Sequence, residues 1–182
     1  MTKQPTFITS NISKAEQLSW HLGIELKHMA AEVPEIQSLS LLEVVEHKAK
    51  EAYKVVKGPV LVEDTSLVFN ALGKLPGPLI KWFLHELDNE GLCRLLDNYS
   101  DRSAIASVLF GYYDGNKLYT FDGQTKGMIA NQPKGELGFG WDPVFIPSNY
   151  DKTWAEMTME EQSDSSMRRI ALSKLEAFLK DK

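Results

Sequence analysis

VLVEDTSL, residues 60–67, is the stretch on which the fold turns. Val60, Leu61 and Val62 follow the helix-breaking pair Gly58-Pro59 and form a short aliphatic run. Such a run reads as a strand buried on both faces, the kind found inside a parallel or mixed sheet. It meets two acids, Glu63 and Asp64, with no turn signal in between. Neighbouring residues on a strand point to opposite faces, so the two carboxylates cannot serve one ligand together if the strand persists through them. One is expected to face a site and the other a structural partner. The plainer alternative is that both cap a turn or pair with lysines.

Working outward, TFIT (residues 6–9) reads as a first strand. Ala15, Leu18 and Leu22 then recur at helical spacing from Ser13 onward. A second helix runs through Leu41, Leu42, Val45, Ala49, Ala52, Tyr53 and Val56 and stops at Gly58-Pro59. NALGKLPGP, residues 70–78, is a loop by its glycines and prolines. A helix is expected after Pro78 and a further one over Glu90–Leu96. Residues 103–130 read as two or three antiparallel strands, with Asp114-Gly115 as the hairpin signal. GELGFGWDPVFIP, residues 135–147, is a glycine-rich loop entering a short strand, and a last helix is expected over Ser166–Lys180. The order predicts an α/β protein: a central mixed sheet flanked by helices, in two lobes with a substrate cleft between them.

The chain has 182 residues, 43% of them hydrophobic, enough for one well-cored domain over residues 1–182. A net charge of −5 without a basic run leaves no footprint for a nucleic-acid backbone, whereas a small phosphorylated ligand needs only a few cations in one place. The single cysteine, Cys93, excludes an intramolecular disulfide. No signal peptide or membrane span is read, so the expectation is a cytoplasmic protein with no membrane partner.

Four stretches carry candidate chemistry. TSNISK, Thr9 to Lys14, lies where a strand hands over to a helix; Ser10, Asn11, the helix-start amides and the Lys14 ammonium can hold phosphate oxygens there, although plain capping is the commoner use of such a turn. The acids Glu35, Glu43, Glu63 and Asp64 can supply hard oxygen ligands to a Mg²⁺ ion whose octahedron is completed by water and phosphate. GFGWDPVF, residues 138–145, offers the aromatic faces of Phe139 and Trp141 and the acceptor Asp142. Stacking a base on such a face is worth about 1 to 3 kcal/mol, although plugging the core is in isolation the commoner use of such rings. SSMRRIAL, residues 165–172, places Arg168 in the first turn of a helix capped by Ser165 or Ser166, where a cation is disfavoured unless an anion or keto oxygen lies near.

In this order TSNISK, VPEIQ, the segment ending EHKA, GPVLVEDTSLVFNALGKLPGPLIKWFL, GFGWDPVF, TWAEM and SMRRIAL resemble the inosine triphosphate pyrophosphatase family over nearly the whole chain, its eukaryotic-type branch in particular. The resemblance implies a curved mixed sheet between two lobes, a homodimer, a Mg²⁺ requirement, and hydrolysis of deaminated purine nucleoside triphosphates to a monophosphate and pyrophosphate. It makes Thr9, Ser10, Asn11 and Lys14 the triphosphate cradle, with Lys14 also assisting catalysis and Lys48 as a second phosphate-binding cation. Glu35 and Asp64 become the metal ligands, Asp64 the activator of the attacking water, and Thr65 a substrate contact. Phe139, Gly140, Trp141 and Asp142 become the base-binding loop, and Arg168 the base-reading arginine.

The departure lies before the last helix. The family has Lys-Asn and then Ser-His-Arg, where this chain has Gln162-Ser163 and then Ser166-Met167-Arg168. Gln162 can still donate to a keto oxygen, whereas Met167 can only pack. Base selectivity is therefore expected to be loosened or shifted. A pyrophosphatase for a pyrimidine or other modified triphosphate, and a catalytically impaired nucleotide-binding module, stand as the alternatives.

Overall fold

The computed structural model of the chain describes residues 4–9, 12–23, 25–31, 33–138 and 140–180. Strands are β1 (Thr6–Ile8), β2 (His28–Met29), β3 (Val60–Phe69), β4 (Pro76–Gly77), β5 (Ser103–Tyr113), β6 (Leu118–Ile129) and β7 (Phe145–Pro147). Helices are α1 (Ile12–Leu22), α2 (Leu41–Val56), α3 (Ile80–Arg94), α4 (Met159–Ser165) and α5 (Met167–Lys180). The strands form one seven-stranded sheet in the order β2-β1-β3-β5-β6-β7, with β4 paired to β3. It is mixed: β1 runs parallel to both β2 and β3, while β4 on β3 and β7 on β6 are antiparallel.

VLVEDTSL is a strand throughout, and it extends to Phe69. The α/β order and the flanking helices agree with the sequence reading. The two helices expected after Pro78 form one element, α3, broken at Asp88 (φ 54, ψ 179). Helix α4 was not anticipated, although Thr158 and Glu161 form a reciprocal capping box at its start.

The chain groups into two compact units. One comprises residues up to Asp64, Val108–Asp122 and residues from Ile170; the other comprises Thr65–Ser107 and Gly123–Arg169. In the first, the α2 face of Val45, Ala49 and Ala52 packs on Ile8, Val60, Val62 and Leu109 of the sheet. The helix approaches so closely that a Cβ on Gly111 of β5 would lie 2.6 Å from the Val45 side chain. Helix α2 is held at its start by the Ser40 side chain, which accepts from Glu43 N–H at 3.4 Å, and ends at left-handed Lys57. Phe178 of α5 packs among Tyr112, Tyr119 and Phe121, with ring centroids 4.7 to 5.5 Å away.

In the second unit, Arg102 donates to three backbone carbonyls: Nε to Ile129 at 2.9 Å, and Nη2 to Cys93 at 2.8 Å and Ala130 at 2.7 Å. It thereby ties the end of α3 to the end of β6. Trp141, Phe145 and Trp154 form an aromatic trio with centroids 4.5 to 5.9 Å apart. Among the described residues no helix is long and apolar enough to cross a membrane.

Candidate active site

The strand order explains why the paired acids matter. From β1 the chain moves outward through α1 to β2, then back through α2 to β3 on the other side of β1. Both connections join parallel strands, and the right-handed rule puts such opposite crossovers on opposite faces of the sheet. Side-chain alternation along β3 then sends Asp64 to the face of Val60 and Val62, where α2 packs, and Glu63 to the other.

Each acid meets a lysine. Lys48 of α2 lies 3.6 Å from Asp64 Oδ2 and 2.8 Å from Glu35 Oε1, and it donates to the Glu63 carbonyl at 3.3 Å. Lys14, in the first turn of α1, lies 2.9 Å from Glu63 Oε1. Glu63 is therefore turned away from Asp64 as strand geometry required, yet its partner is itself a candidate phosphate ligand. Burial acts to lower the Lys48 pKa, but Asp64 and the hydrogen bond to Glu35 outweigh it, and the net direction is upward. Lys48 remains an ammonium at neutral pH.

The other cradle residues are placed less uniformly. Thr9 follows β1, and its N–H donates to Met29 O at 3.1 Å, fixing the chain just before α1. Ser10 and Asn11 lie outside the described residues. Thr65 is half-buried next to Asp64 on β3. Glu43 accepts from Ser38 Oγ at 2.6 Å at the start of α2. Cys93 is no nucleophile, because burial pushes its thiol up to about 11.

In the second unit the glycine loop is built on left-handed backbone, with Gly138 at φ 78 and Gly140 at φ 66. A side chain at Gly138 would collide with the Asp142 carboxylate, so the loop folds over its own acid. Of the two readings left open for Trp141, the core one fits its surroundings: the residue is 9% exposed and its ring packs against Phe145 and Trp154. Phe139 lies outside the described residues.

Gln162 departs from the expectation. Its Nε2 donates to the carbonyls of Trp154 at 2.7 Å and Met157 at 3.3 Å, so the amide expected to meet a keto oxygen is engaged in holding the Trp154–Met157 turn. Met167 is buried, as a residue that can only pack should be. Arg168 is half-buried at the start of α5, and its N–H and that of Arg169 donate to Ser166 Oγ at 3.2 and 3.3 Å. Ser166 is thus the cap, and Ser165 instead accepts from the Trp154 indole at 2.8 Å.

The blocks that supply these residues occur in one order along the chain, and the profile of the Ham1 family matches residues 6–178. This chain belongs to the Ham1 family. Two relatives called inosine triphosphate pyrophosphatase match it nearly end to end. One, from Aspergillus fumigatus, is 44% identical over 99% of this chain and 96% of its own; the other, from Schizosaccharomyces pombe, is 41% identical over 95% and 93%. The Staphylococcus aureus Ham1 protein superposes with a TM-score of 0.86 at 27% identity, covering 97% of this chain and 98% of its own. A dITP/XTP pyrophosphatase from Mycobacterium abscessus superposes at 0.77 with 27% identity, covering 94% and 98%.

Among the described residues of this Ham1 protein, no three His, Cys, Asp or Glu side chains gather as a metal-binding group. The donors that fit a divalent cation are Glu35 and Asp64, two hard carboxylates already brought to one cation, the Lys48 ammonium. A Mg²⁺ ion is commonly held by one or two carboxylates with water and phosphate oxygens, so this donor set suits it. Pairing of both acids with lysines was among the readings of the sequence; that Lys14 is the partner of Glu63 was not. Sequence reasoning also missed Asn89, whose Nδ2 donates to Gly140 O at 3.0 Å across 51 residues, a separation over which no local pattern gives a signal.

Proposed function

We propose that this Ham1 protein is a Mg²⁺-dependent pyrophosphohydrolase of non-standard purine nucleoside triphosphates, converting ITP, dITP and XTP to the monophosphate and pyrophosphate and so cleansing the nucleotide pool. The observation that carries the proposal is the near full-length identity to two inosine triphosphate pyrophosphatases. We further propose that it acts as a cytoplasmic homodimer with residues 1–182 as one catalytic domain, and that nucleic acids are not its partners.

The residues fit the chemistry. Asp64 accepts a proton from water as its oxygen attacks the α phosphorus; the bond to the β-phosphate oxygen breaks and pyrophosphate leaves. Lys14 and Lys48, each held beside a carboxylate, turn their ammonium groups to phosphate oxygens and stabilise the charge that develops there. The start of α1 adds the partial positive charge of a helix N-terminus. When bound, Mg²⁺ held by Glu35, Asp64 and phosphate oxygens offsets the charge on the leaving group.

The second-unit residues bear on the base. A site that hydrogen-bonds a keto group can reject its amino counterpart by about 10⁴-fold, because the site's donors are left unpaired. The Gln162 amide is engaged by Trp154 and Met157, and Met167 is buried and has no donor, so neither offers a ready hydrogen bond to a keto oxygen. Selectivity is therefore expected to be weaker than that figure. Pyrophosphate release with Mg²⁺ across ITP, dITP, XTP, GTP, ATP and the pyrimidine triphosphates tests both parts. Preference for ITP, dITP and XTP supports the function, equal release from all removes the purine selectivity, and no release from any leaves a binding module.

A further inference from the structure

We infer that Asn89 is a positioning residue for the base-binding loop, holding it at Gly140 from the broken helix α3. The inference rests on the proposed reading of that loop as the base site. Asp88 takes φ 54 within α3, a conformation that costs a non-glycine residue of order 1 to 3 kcal/mol and persists where its surroundings over-determine it. The break redirects the chain, and the first residue after it is Asn89, whose Nδ2 donates to Gly140 O at 3.0 Å. Earlier on the same helix, Leu84 Cδ2 lies 3.8 Å from where a Cβ on Gly140 would stand. Both parts of α3 thus come near Gly140, and the second makes a hydrogen bond to it.

The orientation of the amide is fixed. Asn89 Oδ1 is buried and has no hydrogen-bond partner among the described residues. A flipped amide would set Oδ1 against Gly140 O, two acceptors facing each other, and only the present orientation makes a bond. The loop itself has left-handed glycines at 138 and 140. Asn89 supplies a restraint from outside the loop, and Asp142, folded over Gly138, supplies one from within.

The test compares wild type with Asn89→Ala and with Asn89→Asp, which keeps the shape but has no N–H to donate and sets a carboxylate against the carbonyl. Kinetics with ITP are read beside hydrogen exchange of residues 138–142 in the nucleotide-free protein and the thermal midpoint. The expected result is a KM raised about tenfold in both variants, kcat within about twofold, faster exchange confined to the loop, and a midpoint close to wild type. An unchanged KM in an active enzyme overturns the inference, whether or not the loop exchanges faster. So does a KM change that arrives with a general loss of exchange protection, which marks a merely structural residue. If Asn89→Ala does not fold, Asn89→Asp decides by the same criteria. No turnover of any triphosphate by wild type overturns the functional reading instead, and with it the base role of the loop.

Discussion

The two units of the chain build their candidate residues in opposite ways. In the first, Lys14, Glu35, Lys48, Glu63 and Asp64 form ion pairs, each cation beside an acid and each acid beside a cation. In the second, Gly140 of the glycine loop and the segment at Gln162–Arg168 are tied by neutral donors on backbone carbonyls, by the Ser166 cap and by an aromatic trio, with one exposed ion pair between Asp164 and Arg169. The charged set is suited to phosphate and metal, because a ligand there exchanges one ionic partner for another rather than entering an apolar site. The neutral set is suited to shape, since its groups keep their bonds and offer a surface. Charge-neutral substitutions should therefore be severe in the first unit and mild in the second.

The largest effect is expected at Asp64. Asp64→Asn keeps the size of the side chain and removes its ability to take a proton. Turnover should fall by about 10² to 10⁴-fold while nucleotide affinity changes far less, measured by pyrophosphate release against equilibrium binding. Near-normal turnover would take Asp64 out of the mechanism and break the contrast at its strongest point.

Next comes an asymmetry within one ion pair. Glu63 is 6% exposed and Lys14 28%, so the acid is the deeply buried member. Removing the lysine leaves a buried carboxylate without the ammonium beside it, whereas removing the acid leaves a lysine that can turn to water. Lys14→Met should cost about 3 kcal/mol of stability and Glu63→Gln about 1 kcal/mol, read from urea unfolding. Equal costs would mean that the pair behaves as a surface bridge.

How far the sequence foretold these regions follows the same division. Strand β3, the face of α2 and the β5–β6 hairpin were legible because periodicity and turn chemistry are local. The opposite facing of Glu63 and Asp64 followed from the two-residue period alone. The second unit depended on contacts that no local pattern encodes. Trp141 could be a stacking face or a core plug until Phe145 and Trp154 were seen around it. Gln162 read as a free donor until the carbonyls of Trp154 and Met157 were found on it, and the break in α3 fell at an aspartate rather than a glycine. Helix α4 is different: its Thr158 and Glu161 stand at capping-box spacing, a signal that was present and went unread.

The smallest effect tests whether charge matters at the edge of the second unit. Glu161 has its pKa lowered from 4.5, first by the backbone N–H of Thr158 donating to it and then by Lys152, 3.1 Å away. A carboxyl whose folded pKa is depressed contributes stability above its unfolded value and loses it as pH falls through the folded value. Lys48 has the opposite sign: its raised pKa contributes fully below 10.5 and is lost only as alkali carries the pH through the folded value. Between about pH 5 and 9 both contributions are constant. Glu161→Gln retains an acceptor for the Thr158 N–H and removes only the charge. Its thermal midpoint should sit slightly below wild type at pH 7, and the gap should close as the pH is lowered past 4.5 and wild-type Glu161 becomes neutral as well. A gap that persists in acid would show that the cap works through shape rather than charge, which would carry the contrast between the two units down to a single helix end.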